Sequence, residues 1–284
     1  MGGVAVVTDS TCDLSMAVAE EHGLRMVPLS VAFGRETFMS RITITVEDFY
    51  DRLATADVLP TTSQPSPAWF EEAYADCADA GLDGVVSVHL SSALSGTVSV
   101  GRKKAEEAPL RVNVVDSHQV GGGLAITALA AQRAADRGES LEAVTAVAES
   151  VAAAVQTFVV VDTLEYLKKG GRLSSGRAAV GNMLRVKPIL HVEGGRVELL
   201  EQTRTWSRAL RRLVELMVDA LAGEPADVIV SHALAPDHAA DLWSALDDAI
   251  EVRAGLETII GPIVGAHTGP GAVGVAVVPA TLAG

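Results

Sequence analysis

Residues 84–97 have the sequence Gly-Val-Val-Ser-Val-His-Leu-Ser-Ser-Ala-Leu-Ser-Gly-Thr, and this stretch decides the fold. The run at 84–88 is short and rich in valine, which is typical of a strand buried on both faces. A polar loop follows, and a helix is predicted to continue to about Glu107. A buried strand that leads through a polar loop into a helix is the repeating unit of a parallel α/β sheet.

The same unit occurs on either side of residues 84–97. Residues 4–7 form an apolar run that ends near Asp9, and residues 112–115 form another that ends at Asp116. Each is followed by polar residues and then by a helical pattern, which reaches about residue 22 in the first case and covers residues 124–137 in the second. In a parallel sheet the loops at the carboxyl ends of the strands share one edge. We therefore expect the loops at Asp9, Ser91 and Asp116 to lie together.

The order of helices and strands changes after residue 155. Before that point we also predict a strand at 26–33, a helix at 46–56 capped by Thr45 and a helix from Ser140 to residue 155. After it we predict strands at 158–161, 187–192, 196–200, 227–230, 256–264 and 272–278, and helices at 164–168, 206–221 and 237–250. The sequence thus predicts an α/β fold of two domains. Residues 1–156 are expected to form a three-layer α/β/α domain with a mainly parallel sheet, and residues 157–284 a two-layer α/β domain with a mixed sheet.

The composition limits the classes of function. The chain has 284 residues and a net charge of −14, which argues against a nucleic-acid-binding surface over the whole protein. Hydrophobic residues make up 49%, enough for a large core, but no apolar run is long enough to span a bilayer. Cys12 and Cys77 follow no disulfide or metal-binding pattern. We expect a cytoplasmic protein without metal, cofactor or stable membrane insertion.

Residues 60–67, Pro-Thr-Thr-Ser-Gln-Pro-Ser-Pro, carry hydroxyl groups in a segment held by three prolines. Proline fixes its own φ angle and favours extended geometry in the residue before it, so a rigid loop is expected here. Ser66 and Pro67 are suited to begin a helix over residues 68–80, whose N-terminus would favour an anion beside the four hydroxyl groups of this loop. A plain connecting loop is the alternative, and this stretch alone does not decide between the two.

Three further loops offer groups of the same kind, and one of them is Asp116-Ser117-His118 with the glycines that follow it. Ser92, Ser95 and Gly96 precede a predicted helix, where they would surround a ligand oxygen unless the loop merely caps the helix. His267 and Thr268 lie in a turn stiffened by glycine and proline, so that His267 is either a structural residue or a positioned donor. The chain has no GxSxG motif to indicate a catalytic serine, and it lacks the phosphate-loop motifs of nucleotide-binding proteins.

Basic residues are concentrated between Lys168 and Arg212, where eleven occur against three acidic residues. The eleven are Lys168, Lys169, Arg172, Arg177, Arg185, Lys187, Arg196, Arg204, Arg208, Arg211 and Arg212. The last four have the spacing of one helix face. A solvated face is one interpretation, and a docking surface for an acidic or phosphorylated partner is the other.

Together these motifs resemble the DegV family of bacterial fatty-acid-binding proteins, which includes the FakB subunits of fatty acid kinase. The matching segments are Val7-Thr8-Asp9-Ser10 with Asp13-Leu14, Thr62-Ser63-Gln64-Pro65-Ser66, residues 91–97, Val115-Asp116-Ser117, residues 163–172, Lys187-Pro188-Ile189-Leu190, Arg204-Thr205 and residues 267–271. They occur in order from residue 4 to about residue 278, and the set is far more specific than any one motif.

The resemblance implies a long-chain fatty acid as the ligand, with its tail in a tunnel and its carboxylate near the domain interface. The residues implied in carboxylate binding are Thr62, Ser63, Ser92, Ser95 and Gly96. His267 with Thr268 belongs to the same implied site, His267 and Arg204 are associated with presenting the carboxylate to a partner, and Arg172 and Arg204 are the implied docking residues. The implied partner is an ATP-dependent kinase that forms an acyl phosphate, which would make this chain a lipid carrier and not an enzyme.

The sequence leaves other classes of function open. A stand-alone hydrolase or acyltransferase would use Ser95 or Ser63 with His267. A structural or regulatory partner would use only the arginine-rich face. Fatty acid recovered from the purified protein would distinguish a carrier from the regulatory partner, and ester turnover would identify the hydrolase.

Overall fold

The computed structural model describes residues 3–174 and 186–284, and Arg177 and Arg185 of the basic segment lie outside these residues. The strands are β1 (Val4–Asp9), β2 (Arg25–Val27), β3 (Ser30–Phe33), β4 (Glu36–Met39), β5 (Thr61–Ser63), β6 (Gly84–His89), β7 (Arg111–Asp116), β8 (Gln156–Val160), β9 (Lys187–Glu193), β10 (Arg196–Thr203), β11 (Ala226–His232), β12 (Val252–Ile259) and β13 (Val273–Pro279). The helices are α1 (Met16–Glu21), α2 (Val46–Thr55), α3 (Pro67–Asp79), α4 (Thr97–Glu107), α5 (Gly122–Asp136), α6 (Leu141–Ala154), α7 (Glu165–Lys169), α8 (Trp206–Leu221), α9 (Pro236–Asp247), α10 (Pro262–Thr268) and α11 (Ala280–Ala283). Within the described ranges, no helix has both the length and the apolar character that crossing a bilayer requires.

The first half of the chain forms a parallel sheet between two helical layers. The strand order is β2-β1-β6-β7, and every neighbouring pair is parallel. Successive side chains of a strand face opposite sides of a sheet. Ala5 and Val7 of β1 accordingly pack with Phe70 of α3, whereas Val6 packs in the cluster formed with α5 and α6. The predicted three-layer arrangement with a parallel sheet is confirmed.

The second sheet is mixed, as the sequence predicts. Its order is β10-β9-β8-β13-β11-β12, in which β11 and β12 are parallel and the other neighbouring pairs are antiparallel. Val228 and Val230 of β11 pack in the core formed with α8 and α9. Ile229, between them, faces the opposite side and joins the core that contains α5.

Helix α5 lies between the two sheets and contacts strands of both. All of its residues except Arg133 and Asp136 are buried. A helix without a polar face is a buried helix, and its many alanines let both sheets approach closely. The carboxyl edge of the parallel sheet therefore faces the mixed sheet. The mixed sheet begins with β8 at Gln156, beside the predicted domain boundary, although the division into two domains stays a prediction.

Two predicted segments near the N-terminus differ from the structure. The strand predicted at 26–33 is interrupted at Pro28, because proline has no N–H group for a ladder. Residues before it form β2 of the parallel sheet, and residues after it form β3 of a separate antiparallel sheet with the order β4-β3-β5. The loop predicted at 60–67 contains β5, since the extended geometry that the prolines favour allows Thr61–Ser63 to pair with β3.

The predicted strand at 256–264 is also too long. It ends at Ile259, and Gly261 and Pro262 begin helix α10. Proline suits the first position of a helix because the missing N–H group would have no helical partner there. His267 is therefore held in the last turn of a helix and not in a glycine-proline turn.

Candidate functional site

A cavity lies between the carboxyl edge of the parallel sheet and the mixed sheet. Its empty volume is about 1010 Å³, which includes the solvent space at its mouth. Apolar side chains from both halves of the chain form much of the wall, among them Leu29, Leu90, Phe158 and Ile263. Ligand pockets are typically lined by apolar side chains with a few polar groups, so this cavity is suited to a largely apolar ligand.

The polar loops at the sheet edge meet beside this cavity. The Leu90 N–H group donates to the Asp9 carboxylate at 3.0 Å, and the Ser92 N–H group donates to the Asp116 carboxylate at 3.2 Å. The Ser91 hydroxyl donates to the Gly195 carbonyl at 2.7 Å. This bond joins the loop after β6 to the turn between β9 and β10. The expected grouping of the three loops is confirmed.

The sequence-predicted site residues fall into two groups. Those in the cavity wall are Thr62, Ser63, Ser95, Arg172, His267 and Thr268. Those outside the wall are Ser92, Gly96 and Arg204. The structure therefore brings β5, the start of α4, the residues after α7 and the end of α10 to one cavity.

Thr62 and His267 form a hydrogen-bonded pair in the wall. β5 positions Thr62 through its pairing with β3, and α10 positions His267. The Thr62 hydroxyl lies 2.9 Å from Nε2 of His267. The other ring nitrogen, Nδ1, is buried and has no hydrogen-bond partner in the described structure. A Cβ atom on Gly170 would lie 2.2 Å from Nδ1, so the absence of a side chain there allows this close approach.

Burial and, to a smaller extent, the nearby Arg172 cation together lower the pKa of His267 to about 4. The imidazole is therefore neutral near pH 7. A neutral imidazole has one N–H donor and one acceptor nitrogen. Buried polar atoms are normally hydrogen-bonded. His267 lines the cavity, and among the described residues its Nδ1 is an exception to that rule.

Arg172 supplies a positive charge to the same wall. Its Nε donates to the Leu94 carbonyl at 3.2 Å and its Nη1 to the Gly170 carbonyl at 2.8 Å. No carboxylate in residues 3–174 or 186–284 forms an ion pair with this guanidinium, although it is half-buried. A partly desolvated cation without a counterion favours an anionic ligand.

Ser95 and Gly96 stand at the beginning of α4. The Ser95 hydroxyl lies 2.9 Å from the Thr97 hydroxyl, and each can make a further hydrogen bond. A Cβ atom on Gly96 would lie 2.0 Å from Oε1 of Gln64, so Gln64 occupies the space above this glycine. Gln64 also lines the cavity, which extends the polar part of the wall from β5 towards α4.

The basic segment provides a separate exposed surface. Arg204 lies just before the Thr205 cap of α8, so it is not part of the helix face that the spacing predicts. Among the described ion pairs, Arg204, Arg208 and Arg211 have no acidic partner, whereas Arg212 pairs with glutamates. Three exposed arginines remain available for an acidic partner.

A second polar cluster lies beneath the loops and was missed by the sequence analysis. His89 bonds the Asp9 carboxylate through Nδ1 at 3.0 Å and the Ser87 hydroxyl through Nε2 at 2.7 Å. Ser87 in turn bonds the Tyr74 hydroxyl at 2.9 Å. None of the four lines the cavity, and all are buried. Ser87 and His89 are two residues apart in the buried run at 84–89, so they share one face of the strand. That spacing was the signal in the sequence from which part of this cluster could have been predicted.

Asp13 and Arg41 were also missed as contributors to the site. Asp13 lines the cavity, and its Oδ1 accepts a hydrogen bond from the Gly261 N–H group at 2.8 Å. Arg41 donates to the Asp13 carbonyl at 2.9 Å and to the Ile259 carbonyl at 2.8 Å. Burial raises the pKa of Asp13 to about 7, against the opposing effect of Arg41. These contacts join the loop after β1 to the start of α10.

The arrangement does not provide the pair that a serine hydrolase needs. A nucleophilic serine is activated by a hydrogen bond to a base such as histidine. His267 bonds Thr62 instead, and Ser95 bonds Thr97, with no bond in the described residues from His267 to Ser63 or Ser95. The only Ser–His–Asp series described, Ser87–His89–Asp9, is buried away from the cavity. The geometry suits binding of an apolar chain with an anionic end.

Comparisons with known proteins identify related chains. A family model described as "Uncharacterised protein, DegV family" matches residues 3–280. A DegV domain-containing protein of Streptomyces coelicolor is 42% identical over 275 residues, which are 96% of this chain and 98% of that one. A Thermus thermophilus DegV family protein described by its fatty acid binding has a TM-score of 0.91 at 32% identity, over 98% of this chain and 99% of that one. Bacillus subtilis DegV, described as a fatty acid binding protein, has a TM-score of 0.88 at 32% identity, over 98% and 100%.

Proposed function

This chain belongs to the DegV family, and from that premise we propose that it binds a long-chain fatty acid and presents the carboxylate to a partner kinase. The observation that carries the proposal is the large apolar cavity whose wall contains Arg172, His267 and hydroxyl groups that include those of Thr62, Ser63 and Ser95. None of the described carboxylates forms an ion pair with Arg172, whose guanidinium donates to carbonyl groups. Related proteins of known structure that bind fatty acids support the choice of ligand.

The acyl tail supplies most of the affinity. Each buried methylene contributes about 0.8 kcal/mol, so a sixteen-carbon tail contributes on the order of 10 kcal/mol before the costs of ordering. This contribution requires a wall that excludes water. Leu29, Leu90, Phe158 and Ile263 supply apolar surface for the tail.

The polar wall residues fix the orientation of the carboxylate. Arg172 is the counterion, because its guanidinium has only carbonyl partners in the described structure. Ser63 and Ser95 donate hydroxyl hydrogen bonds. Thr62 and the neutral His267 have two donor hydrogens between them, and their mutual bond uses one, so the pair donates one further hydrogen bond to the carboxylate. A buried carboxylate is costly unless such donors surround it.

Catalysis belongs to the partner in this proposal. The kinase binds ATP and transfers a phosphoryl group to the fatty-acid carboxylate, which gives an acyl phosphate. Arg204 and the neighbouring exposed arginines of α8 attract an acidic surface of the kinase. The assignment of Ser92 and Gly96 to ligand binding stays a prediction, since neither residue lines the cavity.

The experiment is solvent extraction of the purified protein, followed by mass spectrometry and by a titration of the delipidated protein with fatty acid. We expect one fatty acid per chain, and we expect Ser95→Ala to weaken binding by about tenfold, the effect of losing one hydrogen bond to a charged group. Ser99→Ala, an exposed position on α4, is the matched control and should bind as the unaltered chain does.

Two results would contradict the proposal. Extraction that yields no lipid, together with a delipidated protein that binds none, would leave only a regulatory partner role. Turnover of an acyl ester that disappears in Ser95→Ala while binding is retained would identify a hydrolase.

A further inference from the structure

A second, smaller groove lies along the face of α5 next to the mixed sheet. Its empty volume is about 450 Å³, including solvent space. Ile126, Leu129 and Arg133 of α5 line one side, and Asp227, Ile229 and Leu256 are among the residues that line the other. None of these residues lines the main cavity.

The groove continues the direction of the main cavity along two elements. On α5, Gly122 lines the main cavity, and Ile126, Leu129 and Arg133 follow it on the same helix face. On β11, Ser231 lines the main cavity, and Ile229 and Asp227 follow it on the same strand face. The distance from Ser231 to Asp227 is about 13 Å at the usual rise of a strand.

A thin partition separates the two spaces. A Cβ atom built on Gly122 would lie 3.2 Å from Cγ2 of Ile229 and 3.1 Å from Cβ of Ala276. Gly122 and Ala276 line the main cavity, whereas Ile229 lines the groove. The Ile229 side chain therefore stands where the two spaces meet, against a glycine that contributes no side chain.

The far end of the groove is charged. The Asp227 carboxylate pairs with Arg133 at 2.6 Å and with Arg253 at 2.7 Å. An apolar chain end would have to displace water from these groups without forming any new hydrogen bond. The apolar length of the groove therefore ends before Arg133.

We infer that Ile229 closes the end of the acyl cavity next to the groove and so sets the longest acyl chain the protein accepts. With isoleucine at this position, the methyl end of the chain stops at the partition. A smaller side chain joins the cavity to the groove and lets additional methylenes enter apolar surroundings. Each methylene that does so strengthens binding by about fourfold. This inference rests on the proposed function.

The test is competition among saturated fatty acids from myristic to lignoceric acid for the delipidated protein, read by mass spectrometry of the bound fraction. Ile229→Ala should move the upper limit of chain length by at least one member of the series. The double variant Ile229→Ala with Leu256→Trp should restore the original limit, because the indole fills the groove. Ile229→Val gives a smaller change in the same direction and remains informative if the alanine variant is unstable.

Val230→Ala is the matched control. It removes methyl groups from the next residue of β11, but Val230 faces the α8 and α9 side and should leave the chain-length profile unchanged. An unchanged profile in both Ile229 variants would overturn the inference, as would a shift that survives Leu256→Trp. If the unaltered protein binds no member of the series, the proposed function fails instead.

Discussion

His89 and His267 each bond a hydroxyl group, yet their surroundings differ in one decisive respect. His89 is fully buried, and both ring nitrogens have partners, Asp9 and Ser87. His267 lines a large cavity and bonds Thr62, whereas its buried Nδ1 has no partner among the residues that the structure describes. A satisfied polar cluster stabilises the fold, whereas an unsatisfied one is kept where a ligand completes it. Residue type alone would have treated the two histidines alike.

The largest expected effect is on the satisfied cluster. His89→Ala should reduce the free energy of unfolding by roughly 3–5 kcal/mol, since it leaves a cavity and removes one partner each from Asp9 and Ser87. Denaturant titration measures the loss. His267→Ala, made for comparison, should change stability by about 1 kcal/mol at pH 7. Equal losses in the two variants would remove the distinction between the clusters.

The next effect concerns pH. Burial lowers the pKa of His267 to about 4, below its ordinary value of 6.5, so the unfolded chain binds a proton between these pH values that the folded chain does not. The free energy of unfolding that the neutral His267 contributes is therefore lost as the pH falls from 6.5 to 4. The loss is on the order of 3 kcal/mol.

Denaturant titrations of the ligand-free protein and of His267→Asn at several pH values isolate this contribution. Asp13 acts in the opposite direction, because its raised pKa makes the fold lose stability as the pH rises from 3.8 towards 7. This contribution is present in both proteins, so the difference between their curves of unfolding free energy against pH reports His267 alone. Parallel curves for the two proteins would show that His267 titrates normally and is well solvated.

The third prediction concerns Arg172, which lies in the cavity wall with His267. Arg172→Gln should weaken fatty-acid binding by about 10–100-fold, because a hydrogen bond to a charged group contributes about 1.5–3 kcal/mol. Calorimetric titration of the delipidated protein measures the change. Arg208→Gln removes an exposed charge from α8 and should bind as the unaltered chain does. The same affinity in all three proteins would mean that the carboxylate lies elsewhere.

The smallest effect on the molecule itself is expected at Arg204. Arg204→Ala should leave the melting temperature and the lipid content nearly unchanged, since the residue is exposed and lies outside the cavity wall. Phosphorylation of the bound fatty acid by the partner kinase should fall, and more steeply at low salt. Loss of lipid in this variant would contradict a docking role.

The sequence predicts elements better than it predicts contacts between them. Apolar runs and capping residues predict most helices and the buried strands, because these signals are local. Pro28 shows the limit: it divides one apolar run between two sheets, and the division depends on strands that are distant in the chain. The pairing of β5, which contains Thr62, with β3 likewise joins segments that are distant in the chain, so a local pattern does not predict it.

The candidate site shows a similar limit. The hydroxyl-bearing loops and His267 are visible as motifs, and the structure brings several of them to one cavity. The bond between His89 and Asp9 joins residues on neighbouring strands, so no local pattern reveals it. The sequence indicates Arg172 as a basic residue suited to docking, but its place in the cavity wall could not be predicted, because it depends on carbonyl groups of two separate turns.

The position of α5 between the two sheets also bears on how the chain is made. When the ribosome has released only the first half, one side of this alanine-rich helix has nothing to cover it, because β11 and β13 have not yet been synthesised. The nascent chain therefore exposes an apolar helix face while the second half of the chain is synthesised. A pause in synthesis after residue 155 would prolong the interval in which a chaperone, or another nascent chain, can bind that surface.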